Sequence, residues 1–156
     1  MASKVQGIIT IRPAVPKDIE KIALWQLEMA KETESLVLNL QTVVQGVTYV
    51  FEQSAVGNYL IAEVADQRVG SLLLLKEWSD WRAGNILWIH SVFVEPDYRK
   101  QGVFTAMYEM VKAQVLNSPS LKGIRLYVDK TNRPARSTYQ NLGMNGDHYQ
   151  TFEWMK

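Results

Sequence analysis

Residues 92–106 read Val92-Phe93-Val94-Glu95-Pro96-Asp97-Tyr98-Arg99-Lys100-Gln101-Gly102-Val103-Phe104-Thr105-Ala106. Apolar residues close a strand, a proline-containing turn follows, and a helix begins at Gly102, shortly after two basic residues. The free amides and partial positive charge of a helix N-terminus bind phosphate, and glycine lets the backbone approach a ligand closely. Arg99 and Lys100 can add charge-assisted hydrogen bonds. The segment predicts a phosphate cradle, with an ordinary helix start and solvated basic side chains as the alternative.

The pattern outside this segment alternates between strands and helices. Apolar alternation predicts strands at residues 8–11, 58–64, 69–76, 85–94, 124–128 and 148–154. Helical spacing and capping residues predict helices that begin near residues 15, 35, 103 and 132, and a polar loop at 77–84. This order indicates a mixed α/β fold, with a central twisted mixed sheet flanked by helices. No repeat or linker interrupts the pattern, so we expect one domain over residues 1–156.

Composition excludes several classes of protein. The chain has 156 residues, a formal net charge of +1 and no cysteine. Without a basic excess, a nucleic-acid partner is not expected, and without thiols there are no thiolate metal sites or Cys-based catalysis. His90 and His148 are too few for a His-rich metal centre. No apolar run approaches a membrane span and no signal peptide is evident, so we expect a cytoplasmic protein with no membrane contact.

Two motifs carry a family resemblance. Residues 92–106 resemble motif A of the GNAT superfamily of acyl-CoA-dependent N-acyltransferases, where a strand ending in V-x-P leads into R/Q-x-x-G-x-G/A. Arg99 and Gly102 match that pattern, whereas Phe104 stands where glycine or alanine is usual. Independently, Asn132-x-x-Ala135-x-x-x-Tyr139-x-x-x-Gly143-Met144 resembles the superfamily pattern N-x-x-A-x-x-x-Y-x-x-x-G-F. The resemblance covers nearly the whole chain and implies a GNAT-like fold.

The resemblance implies acetyl-CoA as co-substrate, no metal, and a role for each matching position. Strand residues would line the thioester arm: Val92, Phe93 and Val94. Loop and helix residues would surround the pyrophosphate: Arg99, Lys100, Gln101, Gly102, Val103, Phe104 and Thr105. Asn132 and Ala135 belong to the second cofactor-binding motif, in which the Asn132 side chain would bond the pantetheine amides. An N-cap role for Asn132 stays open.

Tyr139 and His90 are the candidate catalytic residues. By resemblance, Tyr139 would protonate the departing CoA thiolate, and a half-buried packing role is its alternative. Histidine is the natural base near neutral pH, and His90 lies in the strand just before motif A. Alternation places His90, Val92 and Val94 on one face of that strand. A satisfied core histidine, or deprotonation relayed by water, would leave His90 without a catalytic role. Glu28, Glu77 and Asp80 are the other candidates for the base.

The acceptor is the least determined part of the interpretation. One predicted loop contains two tryptophans and an aspartate: Trp78, Asp80 and Trp81. These residues indicate either packing, which includes a homodimer contact, or an aromatic pocket that binds an amine. We expect transfer of an acetyl group to a primary amine of a small molecule. Direct attack in a ternary complex follows because no cysteine can hold the acyl group. A protein N-terminal or lysine acetyltransferase, and a CoA-binding module with degraded catalysis, are the alternatives.

Overall fold

A computed structural model describes residues 7–156 of the chain. These residues belong to two compact units, one that runs to Leu126 and one from Tyr127 to Lys156. The expectation of a single domain stays a prediction.

The first unit is a mixed sheet with three helices. Its strands are β1 (Ile9–Pro13), β2 (Gly57–Val64), β3 (Gln67–Ser79), β4 (Gly84–Val94) and β5 (Leu121–Leu126). Its helices are α1 (Ile19–Glu34), α2 (Leu40–Glu52) and α3 (Val103–Leu116), with 3₁₀ turns at Pro16–Asp18 and Pro96–Tyr98. The strands pair in the order β1-β2-β3-β4-β5. Only β4 and β5 are parallel, because the α3 crossover joins them. The predicted fold class is confirmed.

Helices cover both faces of this sheet. The core beneath α1 and α2 consists of Ile22, Ala23, Trp25, Val47, Val50, Tyr59, Ile61, Leu73 and Phe93. α3 covers the other face of the sheet. A Cβ placed on Gly70 of β3 would point to that face and would lie 3.5 Å from Val103 of α3. Val103, Met107 and Val111 form the buried stripe of α3. The end of β4 is therefore held between helices on its two sides.

Two sequence-based expectations differ from the structure. Residues 77–79, expected in a loop, extend β3 because Glu77, Trp78 and Ser79 pair with residues of β4. Cross-strand pairing here overrides the polar composition of the segment. The strand expected at 148–154 is wrong: in the second unit the regular element is α4 (Arg133–Asn141), and residues 148–154 have no strand conformation. A strand requires a neighbouring strand to satisfy its backbone, and that unit contains none.

A buried carboxylate joins the start of α1 to the sheet. Asp18 is 0% exposed, and its Oδ2 accepts hydrogen bonds from Arg12 Nη1 at 2.7 Å and the Val15 amide at 2.8 Å. Its Oδ1 accepts from Arg68 at 3.2 Å. Burial alone would raise the pKa of Asp18, but the hydrogen bonds from Arg12, Val15 and Arg68 outweigh it and lower that pKa. The charged carboxylate is thus the stable form in the folded protein.

Asp18→Asn is expected to lower the free energy of unfolding by about 3 kcal/mol, the lower end of the range for a broken buried ion pair. Arg12 keeps Glu63 as a partner, which limits the loss. Folding lowers the pKa of Asp18 below its ordinary value of 3.8. The stability that the charged carboxylate contributes is therefore complete at pH values above 3.8 and is lost as the pH falls through the pKa of the folded protein. Urea unfolding from pH 7 to pH 3 measures both effects.

Asp66→Asn is the matched control, since Asp66 is exposed in the turn between β2 and β3 and asparagine tolerates its positive φ of 61°. This control should unfold as the wild type does. A stability loss in Asp66→Asn equal to that in Asp18→Asn would contradict the assigned role of the buried carboxylate.

Candidate active site

A β-bulge interrupts β4 within the motif A segment. His90 pairs with Leu73 and Phe93 pairs with Ser71, so Ser91 and Val92 together stand opposite Leu72. Ser91 has a φ of 51°, in the left-handed region. An extra residue of this kind bends a strand and leaves part of its backbone outside the ladder. The bulge thus exposes backbone where the resemblance places the thioester.

The bulge overturns the expected alternation along β4. His90 and Phe93 both lie on the sheet face that α1 and α2 cover, because their partners Leu73 and Ser71 share that face. His90 is therefore not on one regular face with Val92 and Val94, as simple alternation predicted. No property of a single strand's sequence marks the extra residue, because a bulge is defined by the partner strand.

The parallel neighbour of β4 ends before β4 does. Pairing of β4 with β5 ends at Ile89 and Leu126, whereas β4 itself continues to Val94. Residues 90–94 of β4 therefore have main-chain groups on this edge that β5 does not pair. A linear group such as a pantetheine arm could be held there by hydrogen bonds of the strand type.

The loop after β4 delivers a helix N-terminus to the same end of the strand. Lys100 and Gly102 have φ values of 60° and 86°, and α3 begins at Val103. A Cβ at Gly102 would meet nothing within 4 Å, so glycine is required by the backbone angle and not by lack of space. The amides of the first helical turn have no acceptor within the helix, which suits them to bind an anion.

Phe104 fits this geometry without filling the loop. Its ring packs back along α3 against Tyr108, with centroids 6.3 Å apart, a normal contact between residues four apart on a helix. The departure from the glycine or alanine of the motif therefore extends the packing surface of α3.

The basic residues of the loop have different environments. Lys100 is exposed. The Arg99 guanidinium instead donates to the Val94 carbonyl at 2.8 Å and to Glu32 of α1 at 2.9 Å. The Gln101 side-chain amide donates to the Asp97 carbonyl at 2.6 Å. Glu32 was missed by sequence reasoning, because nothing local links it to a residue so distant in the chain.

Around His90 the sheet carries an aromatic and charged cluster. His90 is half-buried, and this burial lowers its pKa, so the imidazole is neutral near pH 7. Its ring stacks on Trp88 at 5.9 Å. Glu77 accepts hydrogen bonds from Trp88 Nε1 and Arg125 Nη1, both at 2.9 Å. These contacts join β3, β4 and β5, and only strand pairing reveals them.

The expected acceptor loop lies elsewhere on the hairpin of β3 and β4. Trp78 pairs with Asn85, whereas His90 pairs with Leu73, five residues away along β3. That spacing corresponds to roughly 17 Å along a strand. Trp81 is 86% exposed, and its amide donates to the Asp80 carboxylate. The structure does not bring Trp78, Asp80 and Trp81 together with His90.

The second unit holds the other motif. Asn132 Oδ1 accepts a hydrogen bond from the Ala135 amide at 3.1 Å, which confirms its N-cap role at α4. Its Nδ2 is a separate donor, so a cofactor contact is compatible with capping. Tyr139 is half-buried, and burial raises its pKa above the ordinary 10.0. The phenol therefore keeps its proton at neutral pH, as a general acid must.

Residues 7–156 show neither a membrane-spanning helix nor a metal-binding cluster. No helix in this range is both long and apolar enough to cross a bilayer. Within the same residues, no group of three or more His, Asp or Glu side chains could hold a metal ion.

Solved structures share the fold over nearly their full length. A possible acetyltransferase from Clostridium difficile 630 is 36% identical, with a TM-score of 0.87 over 96% of this chain and 98% of that chain. A predicted acetyltransferase with acetyl-CoA from Clostridium acetobutylicum is 18% identical, with a TM-score of 0.72 over 94% and 96%. The ribosomal-protein-alanine N-acetyltransferase of Brucella melitensis biovar Abortus 2308 is 14% identical, with a TM-score of 0.74 over 95% and 100%.

No curated protein matches the chain significantly. The model of the acetyltransferase (GNAT) family matches residues 20–144, which include the bulged strand, the Gly102 helix start and Tyr139. Together with the shared fold, this match shows that the chain belongs to the GNAT family of acetyltransferases.

Proposed function

We propose that this chain transfers the acetyl group of acetyl-CoA to a primary amine of a small molecule. The observation that carries the proposal is the junction of the β4 bulge with the Gly102 helix start. The bulge supplies main-chain groups for a thioester, and the helix N-terminus supplies amides for a pyrophosphate. Val92, Phe93 and Val94 line the thioester arm, and residues 99–105 surround the pyrophosphate.

The reaction proceeds by direct attack of the amine on the thioester carbonyl. The carbon–nitrogen bond forms as the carbonyl oxygen gains charge, and backbone N–H groups at the bulge stabilise that oxyanion. Collapse of the intermediate breaks the carbon–sulfur bond, and Tyr139 protonates the thiolate. His90, neutral near pH 7, accepts the proton that the amine loses. The chain has no cysteine, so a cysteinyl acyl-enzyme is excluded.

A small-molecule acceptor agrees with the cluster around His90. Trp88 stacks on the candidate base His90, and Glu77 and Arg125 both contact Trp88. In the second unit, Asn132 at the N-cap of α4 and Ala135 within α4 are the proposed pantetheine contacts. We also propose a cytoplasmic location and a homodimer, and no contact with nucleic acid or membrane.

Acetyl-CoA should bind the wild type and raise its melting temperature, because ligands of the folded state stabilise it. Gly102→Ala should weaken binding about ten-fold, since a left-handed backbone costs an alanine roughly 1–2 kcal/mol. Isothermal titration calorimetry measures both. Gly46→Ala is the control: Gly46 lies in α2 with open space around it and should bind normally. Absence of any acetyl-CoA binding by the wild type would overturn the proposed function.

Tyr139→Phe should lower kcat by at least about 100-fold while acetyl-CoA still binds, since only the proton donor is removed. The acceptor for this assay comes from a panel of small amines, amino-terminal peptides and lysine peptides screened by mass spectrometry. Exclusive acetylation of the peptides would reject the small-molecule acceptor. Full activity of Tyr139→Phe would reject the general-acid role, and cofactor binding with no product from any acceptor would favour a CoA-binding module.

His90→Gln should remove the acid limb of the pH profile of kcat/KM. In the wild type, activity should fall as His90 becomes protonated, with a midpoint below the ordinary value of 6.5 because burial lowers this pKa. The second histidine of the chain, His148, is exposed, and His148→Gln should keep the wild-type profile. An unchanged profile in His90→Gln would transfer the base role to water or another group.

A further inference from the structure

One stripe of α1 lies against the end of β4 and the loop that follows it. Lys21, Trp25 and Glu32 are spaced by four and seven residues, which places them on one side of the helix. Lys21 Nζ and Trp25 Nε1 both donate to Glu95, at 2.8 and 2.7 Å. Burial would raise the pKa of Glu95, but these two hydrogen bonds outweigh it and lower that pKa. The carboxylate immediately after β4 is thus held by α1.

Arg99 forms the second connection, on the other side of the 3₁₀ turn Pro96–Tyr98. Its Nε donates to the carbonyl of Val94 at 2.8 Å, and its Nη2 donates to Glu32 at 2.9 Å. Its guanidinium carbon lies 5.5 Å from the centroid of the Phe93 ring, which itself stacks on Trp25. One planar group therefore links the last two residues of β4 to Glu32 of α1.

These contacts assign Arg99 an indirect part in cofactor binding. A guanidinium that already donates to a carboxylate and a carbonyl has fewer donors for phosphate, and the Glu32 charge beside it repels an anion. Lys100 and Gly102, whose positive φ values shape the helix start, come directly after Arg99. We propose that Glu32 and Arg99 are positioning residues that hold this loop ready for the pyrophosphate of acetyl-CoA. This inference rests on the proposed function.

The ion pair is poorly suited to a role in global stability. The side chains of Arg99 and Glu32 are 40% and 43% exposed, and ion pairs at such sites contribute little to folding. The pair of Arg99 and Glu32 instead fixes the local geometry of the loop between β4 and α3. Ordering the loop before binding reduces the entropy lost when the cofactor is captured.

The sign of the Glu32→Gln effect separates positioning from direct phosphate contact. If Arg99 positions the loop, Glu32→Gln should raise the Kd and KM of acetyl-CoA about three- to ten-fold, with kcat and melting temperature unchanged. Arg99→Gln should match it, and the double variant should be no worse than either single variant. Arg99→Lys should fail to restore binding, because an ammonium cannot bridge Glu32 and the Val94 carbonyl in one plane.

Two probes complete the experiment. Acetyl-pantetheine lacks the pyrophosphate, so its KM should not change in Glu32→Gln. Glu34→Gln changes an exposed α1 residue near Glu32 and should behave as wild type. Unchanged or tighter acetyl-CoA binding by Glu32→Gln, or restoration by Arg99→Lys, would overturn the positioning role while leaving the proposed function intact. A wild type that fails to bind acetyl-CoA would instead remove the proposed function, and this inference with it.

Discussion

A strand that carries one more residue than its neighbour must bend, and β4 does so at Ser91 and Val92. The bend follows the last pair of β4 with β5 and places Phe93 against Trp25 of α1. It also sets the position from which the loop leaves for α3. The end of the β4–β5 pairing, the aromatic contact and the helix start consequently all lie next to one local distortion. The left-handed backbone of Ser91 is the strained point on which they depend.

The proposed cofactor site makes little use of side-chain charge. In the proposed site, amides of the loop and helix start would face the phosphates, while the nearby Arg99 is paired with Glu32 of α1. This arrangement explains how a chain of net charge +1 can bind a polyanion without a basic surface. It also explains why Phe104 is tolerated, since main-chain hydrogen bonds do not depend on the side chain that the helix carries at that position.

Local features of this protein could be predicted from its sequence, and features made by pairing could not. Gly102 and Asn132 were recognisable because helix starts have their own chemistry, and both begin helices as expected. The bulge could not be recognised, because the extra residue of β4 is evident only when β4 is paired with β3. Glu77 and Arg125 meet across β4 for the same reason. The final strand was predicted from alternation at 148–154, which cannot show whether a neighbouring strand is available.

The bulge has a consequence for how this chain can change over evolutionary time. Point substitutions at Ser91 or Val92 alter a side chain, but deletion of either residue would restore regular alternation from His90 onward. Phe93 would still lie opposite Ser71 and face Trp25, but the bend and the main-chain groups that the bulge leaves outside the ladder would be lost. The bulge therefore depends on the length of β4 more than on its composition, and we expect insertions or deletions among relatives to fall outside residues 90–102.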